Sequence, residues 1–214
     1  MTKKILLIGS GGHCKSVLDA LITTKEYSEI ALIDKKENIG KKVLSVPIVG
    51  TDEELPKFYQ SGFHYAFITI GGMGYQKLRV KLFHALIDIG FEVPNIFDKT
   101  AIISNQAKLE RGVFVGKNAV VNAGSVINKG AIINTSSIIE HDCIIGDFSH
   151  IAPGSILCGE VQVGNNTHIG AGSAIKQQTK IGSNTIIGMG STVLTDISDN
   201  IIAFGTPCKE VNSR

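Results

Sequence analysis

From Ile103 to Val193 an aliphatic residue stands at every sixth position without a break. The series includes Leu109, Val115, Val121, Ile127, Ile133, Ile139, Ile145, Ile151, Leu157, Val163, Ile169, Ile175, Ile181 and Ile187. Two places before each member sits a small or β-branched residue, among them Ala101, Ser125, Ser137, Cys143, Thr167 and Ser191. Neither the 3.6-residue period of a helix nor the two-residue alternation of an open strand produces this pattern. A chain that turns a corner every six residues does. Three such sides close a coil of about 18 residues, and stacked coils bury one continuous apolar core. The expectation is a parallel β-helix over residues 98–214, with both tracks pointing inward. The tail from Ile201 to Lys209 is expected to leave the repeat and lie back across the last coil.

Residues 1–97 follow another pattern. Ile5-Leu6-Leu7-Ile8 is a continuous apolar run, as expected of a strand covered on both faces. Gly9-Ser10-Gly11-Gly12 follows, then a helical stretch from His13 to about Ile22. Further strands are expected at Glu29–Asp34, Tyr65–Ile70 and Phe91–Phe97. Thr51 and Glu54 have capping-box spacing and predict the start of a short helix. A second glycine loop, Gly71-Gly72-Met73-Gly74, precedes an amphipathic helix from Gln76 to Ile89. Alternating β and α units predict a small parallel sheet flanked by helices, an α/β domain.

A net charge of +2 gives no strong attraction to nucleic acid, and 6% aromatics without tryptophan supply few stacking platforms. No apolar run reaches 18 residues, so no membrane insertion is expected. The apolar run after Lys3-Lys4 is too short for a secretory signal, and a cytoplasmic location is expected. Cys14, Cys143, Cys158 and Cys208 form no CxxC pair and are expected to be free thiols, with Cys143 a core filler.

The first glycine loop ends a strand and opens a helix, where backbone N–H groups and the helix dipole favour an anion. It is a candidate phosphate site; a tight turn that needs glycine is the other reading. Cys14 occupies the sixth position of the dinucleotide fingerprint, which argues against NAD. Asp34 at the end of the second strand is a candidate ribose acceptor or a plain exposed strand end. Gly71 lies across the expected switch point. His13 can face a phosphate or simply fill the first helical turn.

On the coils, His141 and Asp142 occupy a corner. A neutral imidazole there can take a proton from an attacking amine or hydroxyl, and a neighbouring carboxylate can orient it. A corner histidine that merely meets water is the other reading. His150 and His168, one coil apart, are expected to point outward and stack on one face. His141 and His150 are half a coil apart and are expected on different sides of the prism. No close histidine pair is present, so no metal site is expected.

The segment from Ile133 to His150, with Asn134-Thr135-Ser136-Ser137 and Ile139-Glu140-His141-Asp142, closely resembles the PglD/NeuD-like sugar acetyltransferases. Gly9-Ser10-Gly11-Gly12-His13 and the closing Gly205-Thr206-Pro207-Cys208-Lys209 fit the same family. The resemblance implies a Rossmann-like domain, a left-handed β-helix, a homotrimer, and acetyl-CoA in a groove between neighbouring helices. It implies His141 as catalytic base, Asp142 as its acidic partner, where the family often has Glu, and Asn134 in the active site. His150 is implied near the acetyl group or pantetheine. Backbone contacts to acetyl-CoA are implied at Ala171 and Met189, flanked by Gly170 and Gly188. Gly11, Gly12, His13, Asp34, Lys35 and Gly71 are implied to hold a nucleotide sugar, although Lys35 replaces a second acidic residue. The implied reaction is acetylation of the 4-amino group of a UDP-linked or other nucleotide-linked aminosugar. O-acetylation of a sialic acid or related nonulosonate is the alternative, and a non-catalytic nucleotide-binding scaffold the more distant one.

Overall fold

The computed structural model describes residues 3–72 and 76–213. The chain forms two compact units that divide between Lys99 and Thr100. Met73 and Gly74 of the second glycine loop lie outside the described residues.

In the first unit, β1 (Lys4–Ile8) lies between β2 (Glu29–Ile33) and β5 (Tyr65–Ile68), parallel to both. Ile5, Leu6 and Leu7 are fully buried, which is why this strand reads as an unbroken apolar run. Helix α1 (Gly12–Thr24) buries Val17, Leu18 and Leu21, and α3 (Gln76–Ile89) buries Leu82, Phe83 and Leu86. The Thr51–Glu54 capping box forms and leads through a 3₁₀ turn into α2 (Leu55–Gln60).

Two features differ from the sequence expectation. Phe91–Phe97 is not one strand: Glu92 makes a single bridge to Tyr65, and only Ile96–Phe97 is extended as a separate pair. Pro94 explains the break, because it has no N–H for a ladder. An unexpected hairpin pairs β3 (Lys42–Val43) with β4 (Val46–Gly50), and β4 extends the parallel sheet beside β2. Its two-residue turn puts Leu44 and Ser45 at φ 45° and 74°. Mirror-image hairpin turns need such values and are usually signalled by Asn-Gly, which is absent here.

The second unit is a parallel β-helix. Two-residue strands pair with their copies 18 positions on, as in Val120 with Ile138 and then Ile156. A second face stacks Phe114, Ile132, His150, His168 and Ile186, and a third stacks Lys108, Val126, Ile144, Gln162 and Lys180. The aliphatic track is buried from Val115 to Val193, and each such side chain stabilises by roughly 1.5–3 kcal/mol.

The small track explains itself through hydrogen bonds. Ser149 Oγ donates to the carbonyl of Gly164 at 2.6 Å and accepts from the Thr167 N–H at 3.0 Å. Thr167 Oγ1 repeats this one coil on, to Gly182 and from Thr185. Hydroxyls at these positions satisfy backbone groups where the chain turns inside the core. Cys143 is fully buried on this track, and none of the four cysteines is in a disulfide.

From Leu109 to Ile187 the third residue after each inward aliphatic is left-handed, as at Gly124, Ser136, Asp142 and Phe148. The tail departs from expectation. Ile201–Gly205 continues the stack, parallel to Ile186–Ile187, and only Cys208–Ser213 folds back, antiparallel on it. The edge of this one face beyond Ile186–Ile187 is thereby paired, with Cys208–Ser213 as its outer strand.

Candidate active site

His141 and Asp142 follow the strand Ile138–Ile139 at a corner. Asp142 has φ 60°, a left-handed conformation that short polar side chains tolerate. Its N–H donates to the Ala123 carbonyl at 3.0 Å, and the Glu160 N–H donates to the His141 carbonyl at 2.9 Å. The coils before and after therefore hold the backbone of the pair. His141 Nδ1 lies 2.9 Å from Asp142 Oδ2, and both side chains are well exposed. The hydrogen bond to Asp142 pushes the imidazole above its ordinary range, against an opposing effect of desolvation. The charges of Asp142, Glu140 and Glu160 push the same way. With Nδ1–H turned to the carboxylate, Nε2 is the basic nitrogen.

A second group lies on another face. Asn134 Nδ2 is 3.0 Å from His150 Nε2, and Asn134 Oδ1 accepts from the Thr135 N–H at 2.8 Å. The latter bond turns the amide so that Nδ2 donates to His150, making Nε2 the acceptor. His150 and His168 are register partners with ring centroids 4.9 Å apart at 70°. They point away from the prism axis, yet His168 is buried. The structure thus joins Asn134 to His150 but leaves His141 and Asp142 on a different side.

Gly170 and Gly188 extend the edge that carries Asn134. A Cβ on Gly170 would lie 2.5 Å from the Met189 nitrogen, and one on Gly188 2.7 Å from Phe204. Their N–H groups donate to Ile187 and Ala203, so coil stacking already accounts for both glycines. The Ala171 carbonyl accepts from Gly190. Met189 is 78% exposed.

In the first unit, strand order places the loops after β1 and β5 side by side, with Asp34 at the end of β2. Gly9, at φ 103°, packs against Ile70, where a Cβ would come within 2.7 Å. Gly9 is therefore required by the turn. Gly11, Gly12 and Gly71 differ: a Cβ on any of them would meet nothing within 4 Å among the described residues. Space is open above them. Asp34 accepts from the Ser10 hydroxyl and N–H, the Lys35 N–H and Asn38 Nδ2. Partial burial pushes its carboxyl up, but these bonds outweigh burial and hold it below the usual range. Asp34 thus clamps the glycine loop. Burial, with the Arg79 charge adding to it, pushes His13 down to about 3 and keeps it neutral. Lys35 is exposed.

Residues 4–86 match the PglD N-terminal domain, residues 104–129 the hexapeptide repeat of succinyl-transferase, and residues 160–195 the bacterial transferase hexapeptide. The chain superposes with TM-score 0.92 on PerB from Caulobacter crescentus, solved with CoA and GDP-perosamine. The two are 35% identical over 99% of both chains. The acetyltransferase domain of PglB from Neisseria gonorrhoeae, solved with acetyl coenzyme A, matches with TM-score 0.92. It is 32% identical over 99% of this chain and 100% of that one. This chain belongs to the PglD-like hexapeptide-repeat sugar acetyltransferases. WeeI from Acinetobacter baumannii, 23% identical over 98% of this chain and 100% of that one with TM-score 0.87, shares the fold.

In this acetyltransferase, no helix among the described residues is long and apolar enough to cross a membrane. No group of three or more His, Cys, Asp or Glu among them could hold a metal ion. A groove of about 550 Å³ on the third face, lined by Ile144, Gln162 and Lys180, contains none of the residues singled out from the sequence.

The His141–Asp142 bond sets a pH dependence. A protonated imidazole cannot accept a proton, so a reaction that used His141 as its base would slow as pH drops through the raised pKa. In Asp142→Asn the acidic limb of the kcat profile should move to lower pH, and kcat should fall about tenfold or more. A limb unmoved by the substitution would show that Asp142 does not govern the base. Glu140 and Glu160 remain in that variant, so the shift is expected to be incomplete.

Proposed function

We propose that the protein transfers an acetyl group from acetyl-CoA to the 4-amino group of a nucleotide-linked aminosugar, with His141 as general base. The observation that carries this reading is the 2.9 Å His141–Asp142 pair on an exposed corner, which engages Nδ1 and leaves Nε2 outside that bond. The amine nitrogen forms a bond to the thioester carbonyl carbon as the carbon–sulfur bond breaks. Nε2 removes the proton that the amine loses, and the leaving sulfur is protonated to give free CoA. Asp142 keeps the ring oriented and stabilises its cation.

The nucleotide end is assigned to the first unit. Gly11, Gly12 and Gly71 leave room for close approach of a phosphate, at the switch point beside β1. His13, Asp34 and Lys35 line the same end of the sheet. PerB was solved with CoA and a GDP-linked sugar, which supports both substrate classes. Asn134, His150, Gly170, Ala171, Gly188 and Met189 form the edge assigned to acetyl-CoA. Because that edge and the His141 corner are on different sides of one prism, a homotrimer would supply them from neighbouring copies. The face that carries the Ile138 strand supports self-association, since Ile102 and Ile156 stand exposed on it at 65% and 40%.

The test is release of CoA thiol with a panel of UDP-, GDP- and dTDP-linked 4-aminosugars and of sialic acids. Turnover is expected with a nucleotide aminosugar and not with its N-acetylated product. Thiol release with nonulosonates alone would replace this reading by O-acetylation.

A further inference from the structure

Two glycines bracket the His141–Asp142 pair. One coil above His141 is Gly159, which is buried. A Cβ built on Gly159 would overlap the imidazole, 2.5 Å from Cε1 and closer still to Nε2. One coil below Asp142 is Gly124, where a Cβ would overlap Asp142 Oδ1. The ring thus leans upward over one missing side chain, and the carboxylate leans downward over another.

The two glycines differ in what else explains them. Gly124 has φ 76°, so its corner already favours glycine. Gly159 is not in the left-handed region, and its backbone would accept alanine. Its carbonyl accepts from the Gln178 N–H at 2.9 Å, so the stack holds it in place. The same corner step carries Ala123, Thr135, Asp147, Pro153, Asn165 and Ala171 in neighbouring hexads; from Asn105 to Met189 only position 159 is glycine. Neither turn geometry nor the repeat calls for glycine there. The histidine ring does.

We propose that Gly159 is a positioning residue for His141: its missing side chain lets the ring lie against the next coil, bonded to Asp142, with Nε2 open to the acceptor amine. The proposal rests on the reading of His141 as the base. A methyl group at 159 would push the ring off the Asp142 bond and cover Nε2. Misplacement of a catalytic group by about 1 Å can cost on the order of a hundredfold.

The experiment compares wild type, Gly159→Ala, His141→Ala and the double variant. It measures kcat, both KM values, thermal stability and the NMR titration of the His141 ring. In Gly159→Ala, kcat should fall about tenfold to a hundredfold with both KM values little changed. The His141 titration should move down toward the ordinary histidine range as the Asp142 bond is lost. In the His141→Ala background the same glycine change should cost nothing further, because no ring remains to displace. A thermal loss in Gly159→Ala that disappears in the double variant would carry the same meaning.

Three outcomes overturn the proposal: an unmoved His141 titration, a loss confined to the KM for acetyl-CoA, or an equal loss with and without the ring. If His141→Ala itself keeps its turnover, the base assignment fails. The ring titration in Gly159→Ala then still decides the positioning claim by itself.

Discussion

Turnover of His141→Ala should be about 10²–10⁴-fold below that of the unaltered protein, the usual loss for a missing general base. The structure makes this a clean substitution. The ring is mostly solvent-exposed, and its hydrogen-bonded side-chain partner is Asp142. The backbone of the corner is held by its own bonds to Ala123 and Glu160, which alanine keeps. Thermal stability should therefore barely change while kcat collapses. The measurement is steady-state kinetics at saturating substrates beside a melting curve. Turnover within threefold of the unaltered protein would remove His141 from the mechanism and leave the proton to another acceptor.

The largest effect on stability is expected inside the stack. Ile169 is fully buried and sits between Ile151 one coil below and Ile187 one coil above. Ile169→Ala should cost about 2–5 kcal/mol, read as a lower urea or thermal midpoint. The upper part of that range is expected, because a rigid hydrogen-bonded ladder on each side cannot close over the cavity. The coils are nearest-neighbour coupled, so hydrogen exchange should speed up first in the coils next to the lesion. A loss below about 1 kcal/mol would mean that the stack relaxes around the gap far more than its ladders suggest.

Much of the second unit was legible because a six-residue repeat is a local code. Each hexad carries its own inward aliphatic and its own small residue, and stacking pairs each strand with its copy one coil away. The left-handed corners were missed, since Asp142, Phe148 and Glu160 give no glycine signal there. In the first unit, the apolar run of β1 and the capping box at Thr51 were readable. Pro94 interrupts any strand from Phe91 to Phe97, because it has no N–H to donate. The two-residue turn Leu44-Ser45 holds no Asn, Asp or Gly, so no mirror-image turn signal marks this hairpin. The glycine loop was visible, but its glycines look alike in one dimension. Only packing against Ile70 separates Gly9, which the turn requires, from Gly11 and Gly12, which nothing among the described residues requires.

The sequence by itself determined the β-helix and its inward tracks, because these follow from short-range period and side-chain type, and it singled out His141 and Asp142 as candidates for the chemistry. Tertiary structure alone decided which polar side chains meet across a corner or between loops. Asn134 meets His150 across 16 positions, and Ser10 meets Asp34 across 24. The imidazole of His141 settles over Gly159 for the same reason: which atoms meet depends on how each corner side chain leans, and that is set by the space its neighbour one coil away leaves empty.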